Sequence, residues 1–216
     1  MKPGHDMTLL RYEDLMDSLA SSELSERLVV TPLLDEKQVG PASIDLRLGS
    51  EFIEIRRREE TLMDPFSDPP TPTQKREERV VVPLGEFLVL HPGQFVLGST
   101  LEFIRMPAHL GGQVLSRSSW ARQGLIVATA VTVQPGYGGV LTLEIVNMGP
   151  VPMALYPGLR IAQLAVWSMS GPTEKPYLAD PFKAPLGPQS HHAGWNLEEQ
   201  ETLKKIGKQL KGDPGP

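Results

Sequence analysis

Cysteine is absent from the 216 residues. Its absence excludes disulfide staples, a thiolate nucleophile and any zinc site built on cysteine. No apolar run approaches the roughly 18 residues of a membrane span, and the opening MKPGHDMTLLRYEDLMDSL lacks a continuous apolar stretch of signal-peptide length. A soluble cytoplasmic protein is the expectation. A basic balance is lacking too: 21 Lys and Arg face 26 Asp and Glu, a formal net charge of -5. Such a chain repels a polyanion, which argues against nonspecific binding to nucleic acid. A small anionic ligand needs only a local basic cluster. The length suits one well-buried domain, with little room for a second, and no internal repeat is visible.

The opening RYEDLMDSLAS carries Leu15, Met16 and Leu19 at helical spacing and reads as a short helix. From Ser43 onward the texture turns to β-rich pieces, SIDLRLG, EFIEI, RVVVP, FLVL, QFVLGS, GVLTLEIVN and LRIAQLAVW, separated by Gly and Pro. Many short strands with turn signals point to a mainly β barrel or jelly-roll-like sandwich. Residues 56–78 combine a charge run with four prolines and can bury little, so a surface excursion is expected. Near the end, NLEEQETLKKIGKQL has Leu203, Ile206 and Leu210 at helical spacing behind an Asn196 to Glu199 capping pattern. A C-terminal helix with a frayed tail over 196–216 follows. The adjacent His191 and His192 read as solvent-exposed loop residues.

Acidic residues nearly vanish from the second half. Between Glu102 and Glu174 the sole carboxylate is Glu144, and the same window holds Arg105, Arg117, Arg122 and Arg160 without a lysine. Alternation in VLTLEIVN sets Val140, Thr142, Glu144 and Val146 on one strand face and Leu141, Leu143 and Ile145 on the other. A carboxylate in so apolar a strand needs either an arginine partner or a role, because desolvating an unpaired charge is costly. Just upstream, SRSSWARQG, residues 116–124, gathers guanidinium and hydroxyl donors of the kind that hold phosphate oxygens. Arg117 and Arg122 are five apart and would point in different directions from one helical turn, which suggests two jobs.

The ordered blocks RSSWARQGLIV, TAVTVQPGYGGVLTLEIVN and PVPMALYPGLRIAQL, with VGPASIDLRLG upstream, resemble the dCTP deaminase family, a branch of the trimeric dUTPase-like fold. The resemblance runs from about Thr8 to about Ser190. It implies a dUTPase-like nucleotide-binding domain over 1–195, and a homotrimer with active sites shared between neighbouring chains. It also implies hydrolytic deamination of dCTP at C4 of the ring, with magnesium carried on the triphosphate and no metal on the protein. By the same resemblance Arg117, Ser118 and Ser119 face the phosphates and the catalytic water. Arg122 accompanies the catalytic glutamate, and Glu144 is that glutamate, shuttling protons between water, ring N3 and the departing amine. Tyr137 would pack under the sugar, Gln163 would lie near the nucleotide, and Tyr177, Lys183 and Gln189 match a C-terminal lid at altered spacing.

The chemistry agrees with the composition. Zinc-dependent nucleobase deaminases use a His/Cys set that a cysteine-free chain cannot supply, so a positioned glutamate must act as base and acid in turn. One departure matters for the product. The family has Asp before its Pro-Gly, and here Gln134 stands there; an amide can hydrogen-bond but cannot act as a base. A dUTP diphosphatase, a bifunctional enzyme taking dCTP to dUMP, and a catalytically silent nucleotide-binding homologue are the alternatives.

Overall fold

The computed structural model describes residues 8–55, 77–128, 132–177, 185–189 and 201–206. The opening helix is α1 (Tyr12–Ala20), whose first turn carries Glu13 and Asp14, where negative charge complements the helix dipole. Leu15 is fully buried and Leu19 packs on the core. Met16, expected on that same side, is exposed; one residue on from Leu15 is a rotation of about 100°.

Among the described residues twelve strands follow: β1 (Val29–Thr31), β2 (Ile44–Arg47), β3 (Glu51–Ile55), β4 (Glu77–Val81), β5 (Leu88–Leu90), β6 (Phe95–Arg105), β7 (Leu110–Ser116), β8 (Leu125–Val127), β9 (Thr132–Val133), β10 (Gly138–Asn147), β11 (Met153–Leu155) and β12 (Arg160–Ser168). A four-residue helix, α2 (Ser118–Ala121), separates β7 from β8. One sheet has the order β4-β3-β6-β10-β8 with β1 also paired to β6, a second runs β2-β12-β7-β9, and β11 pairs β5. Apolar residues of the two larger sheets meet in one core: Phe52, Val96, Leu141, Leu143 and Ile145 from the first, Ile44, Leu46, Val114, Ile161 and Leu164 from the second. The mainly β expectation holds.

The expected onset of strands at Ser43 is late, because β1 precedes it and pairs through Val30 with Ile104. The proline-rich excursion was drawn to residue 78, whereas Glu77 and Glu78 open β4; residues 56–76 lie outside the described residues. Residues 201–206 are helical and exposed and belong to a different unit from the β-rich body. The capping pattern at Asn196 and the pair His191 and His192 lie outside the described residues, as does Lys183.

Candidate active site

On β10, Leu141, Leu143, Ile145 and Asn147 are buried while Thr142, Glu144 and Val146 are half-buried. The alternation therefore puts the Glu144 carboxylate on the strand face away from the core. Its main chain is fixed on both sides: Glu144 pairs with Leu97 of β6, and its carbonyl accepts from the N–H of Ala128, 2.7 Å away. Ala128 follows β8, whose Val127 is opposite Ile145. The Val127 N–H donates to Ser116 Oγ at 3.1 Å, and that hydroxyl donates back to the Val127 carbonyl at 2.9 Å. Ser116 leads straight into Arg117. The serine-rich turn is thus tied, through the Ser116 hydroxyl, to the strand that pairs with the one carrying Glu144.

A helix as short as α2 has no stability of its own. The Trp120 indole holds it in place, donating from Nε1 to the Arg160 carbonyl at 2.8 Å. Arg117 is the N-cap residue and Arg122 the C-cap, so they leave the turn at opposite ends. Their surroundings differ accordingly. Arg117 meets Asp45 at 3.2 Å, whereas among the described residues Arg122 forms no ion pair, with Glu144 or any other carboxylate. Arg117 and Ser119 line a cleft of about 370 Å³ with Arg47, Trp120, Gln123 and Arg160.

Gln163 meets a carboxylate through its amide. It is opposite Asp45 across β2 and β12, and its Nε2 donates to Asp45 Oδ1 at 3.2 Å. Behind it lies a network that the sequence reading did not identify. Arg160 spans Asp45 and Asp35 at 3.4 and 3.3 Å, and Arg47 reaches Asp35 at 2.8 Å. Gln38 donates to the fully buried Glu102 at 2.7 Å. Burial raises the Glu102 pKa, against the lowering effect of hydrogen bonds from the Arg47 N–H and Gln38. The alternation in IDLR was the available signal: with Ile44 and Leu46 in the core, Asp45 and Arg47 share the other face.

A second group gathers around the QPGY segment. The Tyr137 N–H donates to the Gln134 carbonyl at 3.0 Å, and Gly136 has a φ of 86°. Proline then glycine with positive φ is the requirement of a type II turn. The Tyr177 N–H donates to the Pro135 carbonyl at 2.6 Å, and the rings of Tyr137 and Tyr177 lie 6.0 Å apart, their planes inclined by 28°. Burial pushes the Tyr137 phenol well above its usual range, and its hydroxyl donates to the Val140 carbonyl at 2.7 Å. Gln134 and Tyr177 line a cleft of about 510 Å³ with Met169, Thr173 and Lys175. Further along β10, the Gln189 N–H donates to Thr142 Oγ1 at 3.0 Å, two residues before Glu144.

Among the described residues no three His, Asp or Glu side chains converge as a metal site. The donors of the Arg117 cleft are guanidinium, hydroxyl and amide N–H groups, which suit phosphate oxygens and not a cation. No helix among the described residues is long and apolar enough to cross a membrane.

Residues 15–169 match the family model described as dCTP deaminase-like. A dCTP deaminase of Halorubrum lacusprofundi is 40% identical over 195 residues, 88% of this chain and 93% of that protein. A dUMP-forming dCTP deaminase of Dictyoglomus thermophilum is 43% identical over 153 residues, 70% of this chain and 77% of that protein. Among solved structures, the 2'-deoxycytidine 5'-triphosphate deaminase of Agrobacterium tumefaciens superposes with a TM-score of 0.56 at 26% identity, covering 75% of this chain and 48% of that one. The present chain thus spans about half the length of that solved protein.

Proposed function

The chain belongs to the dCTP deaminase-like family, and from that membership we propose that it hydrolyses dCTP to dUTP and ammonia in the cytoplasm. The observation that carries the reading is Glu144, the sole carboxylate between Glu102 and Glu174, standing off the core on a strand tied through β8 to the serine-rich turn. In the proposed reaction Glu144 takes a proton from water as the oxygen attacks C4 of the ring. It delivers that proton to N3, then carries the proton of the new C4 hydroxyl to the amine, so that the C4–N bond breaks, ammonia leaves and the C4 carbonyl forms. One group acting as base and then acid fits the requirement for proton transfer at a single centre. Ser118 and Arg122 position the water and stabilise the developing charge. Arg117 and Ser119 hold the triphosphate, and magnesium would be held by the phosphate oxygens, whose charge it neutralises.

Tyr137 stacks under the sugar in this reading, with Gln134, Gln163, Tyr177 and Lys183 completing the nucleotide contacts. Within one chain the candidates divide between two clefts, Arg117 with Ser119 in one and Gln134 with Tyr177 in the other. This division supports a homotrimer in which each active site draws on neighbouring chains. Purified protein given dCTP and magnesium should yield dUTP and ammonia in equal amounts by nucleotide chromatography and ammonia assay. Absence of both products would contradict the proposal.

A second reading, hydrolysis onward to dUMP and pyrophosphate, is favoured by the dUMP-forming relative from Dictyoglomus thermophilum. Gln134 weighs against it, since no carboxylate is available there to activate a second water. Pyrophosphate in the same assay would establish it.

A further inference from the structure

We propose that Asp45 is a positioning residue that holds Arg117 in the orientation in which its guanidinium meets the triphosphate. The inference rests on the reading above, in which Arg117 binds phosphate, and adds a residue to it. Asp45 lies on β2, and its side chain is only 11% exposed. A carboxylate so placed needs partners to offset its lost hydration, and both oxygens have them. Oδ1 accepts from Gln163 at 3.2 Å. Oδ2 meets one nitrogen of Arg117 at 3.2 Å and one of Arg160 at 3.4 Å.

The geometry separates holding from competing. A guanidinium carries five N–H donors in a rigid fork. Arg117 gives a single nitrogen to Asp45, and among the described residues its guanidinium makes no other ion pair. The remaining donors belong to a side chain that is 30% exposed and lines the cleft beside Ser119. Asp45 can therefore fix the fork from behind while phosphate is held in front. A bidentate Asp45 would instead have to be displaced by the ligand. Gln163 steadies Asp45 in turn, a task beside the nucleotide contact proposed for it.

The test is a double-mutant cycle on the full chain, with Asp45→Asn, Arg117→Ala and the double variant. It reads the dCTP dissociation constant by titration calorimetry, with KM and kcat alongside. Asp45→Asn should weaken dCTP binding about three- to hundredfold, the range of coupling between residues of one ion-pair network, and raise KM far more than it lowers kcat. In the Arg117→Ala background the same change should have almost no further effect, a non-additivity that a purely structural role would not produce. If Asp45→Asn fails to fold, Asp45→Glu keeps the charge while moving the carboxylate, and weaker dCTP binding is again expected. Equal losses in both backgrounds, tighter binding by Asp45→Asn, or wild-type affinity in Asp45→Glu would each overturn the inference. Because the cycle is decided by binding, a chain that binds dCTP without deaminating it would refute the proposed reaction and still be judged on the cycle. A wild-type chain that binds no dCTP would overturn both.

Discussion

Replacing Trp120 by Phe tests how the serine-rich turn is held. The indole Nε1 donates to the Arg160 carbonyl at 2.8 Å, and the half-buried ring packs against the core. Phenylalanine keeps an aromatic face but loses the donor and part of the buried ring. The lost hydrogen bond costs about 1 kcal/mol, and the smaller apolar contact adds roughly 0.5–1 kcal/mol at a half-buried site. For a chain of this size the sum lowers Tm by roughly 3–7 °C. The functional consequence follows from the local geometry: Trp120 bonds the Arg117 carbonyl through its own N–H at 3.1 Å, so loosening the ring loosens the turn that holds Arg117 and Ser119. KM for dCTP should rise several-fold with kcat nearly unchanged, the pattern of lost uniform binding. Differential scanning calorimetry and steady-state kinetics read the two effects. Unchanged Tm with unchanged KM, or a fall in kcat alone, would refute the reasoning.

Asn147→Ala should cost about 3 kcal/mol in urea unfolding, because the fully buried side chain donates to the carbonyls of Leu90 and Val151 at 2.9 and 2.8 Å and accepts from Gly149 at 2.8 Å. A cost below about 1 kcal/mol would mean that water replaces those bonds. Glu102→Gln should change how stability depends on pH. Because burial raises the folded-state pKa of Glu102, its contribution is fully present below the unfolded carboxyl value and is lost as pH climbs through the folded one. The wild-type chain should therefore lose stability from this group as pH rises above the ordinary carboxyl range, while Glu102→Gln lacks that loss. Its deficit should narrow with rising pH in urea titrations, and a deficit that widens would reverse the sign and contradict the assignment.

Strand content and the core were legible where the pattern is local. From Leu141 to Asn147 alternation sorts the side chains of β10 between core and outer face, whereas Val140, expected beside Glu144, is buried across a register shift between Val140 and Thr142. The strand β7 was missed since LGGQVLS reads as a turn by its glycines, yet Gly112 is there for space: a Cβ would lie 2.9 Å from Leu164 Cδ1 and 3.0 Å from Met106 Cε. The short β1, β9 and β11 likewise owe their form to the partners they pair with.

The serine-rich turn and Glu144 stood out by composition, and the separate surroundings of Arg117 and Arg122 follow from their spacing. What could not be read was the carboxylate behind Arg117. Asp45 meets Arg117 across a third of the chain, and Arg160 and Gln163 across just over half of it; no local pattern encodes such pairings. Gln163 shows the same limit: its place on an apolar strand was visible, and its partner was not.

The most direct measurement compares ammonia release from dCTP by the wild-type chain and Glu144→Gln, with dCTP affinity determined for both. The amide keeps the shape and cannot carry the proton. The account predicts that release falls by at least about a thousandfold while the dissociation constant stays within a few-fold. Glu144→Gln releasing ammonia at a rate near that of the wild type would contradict it.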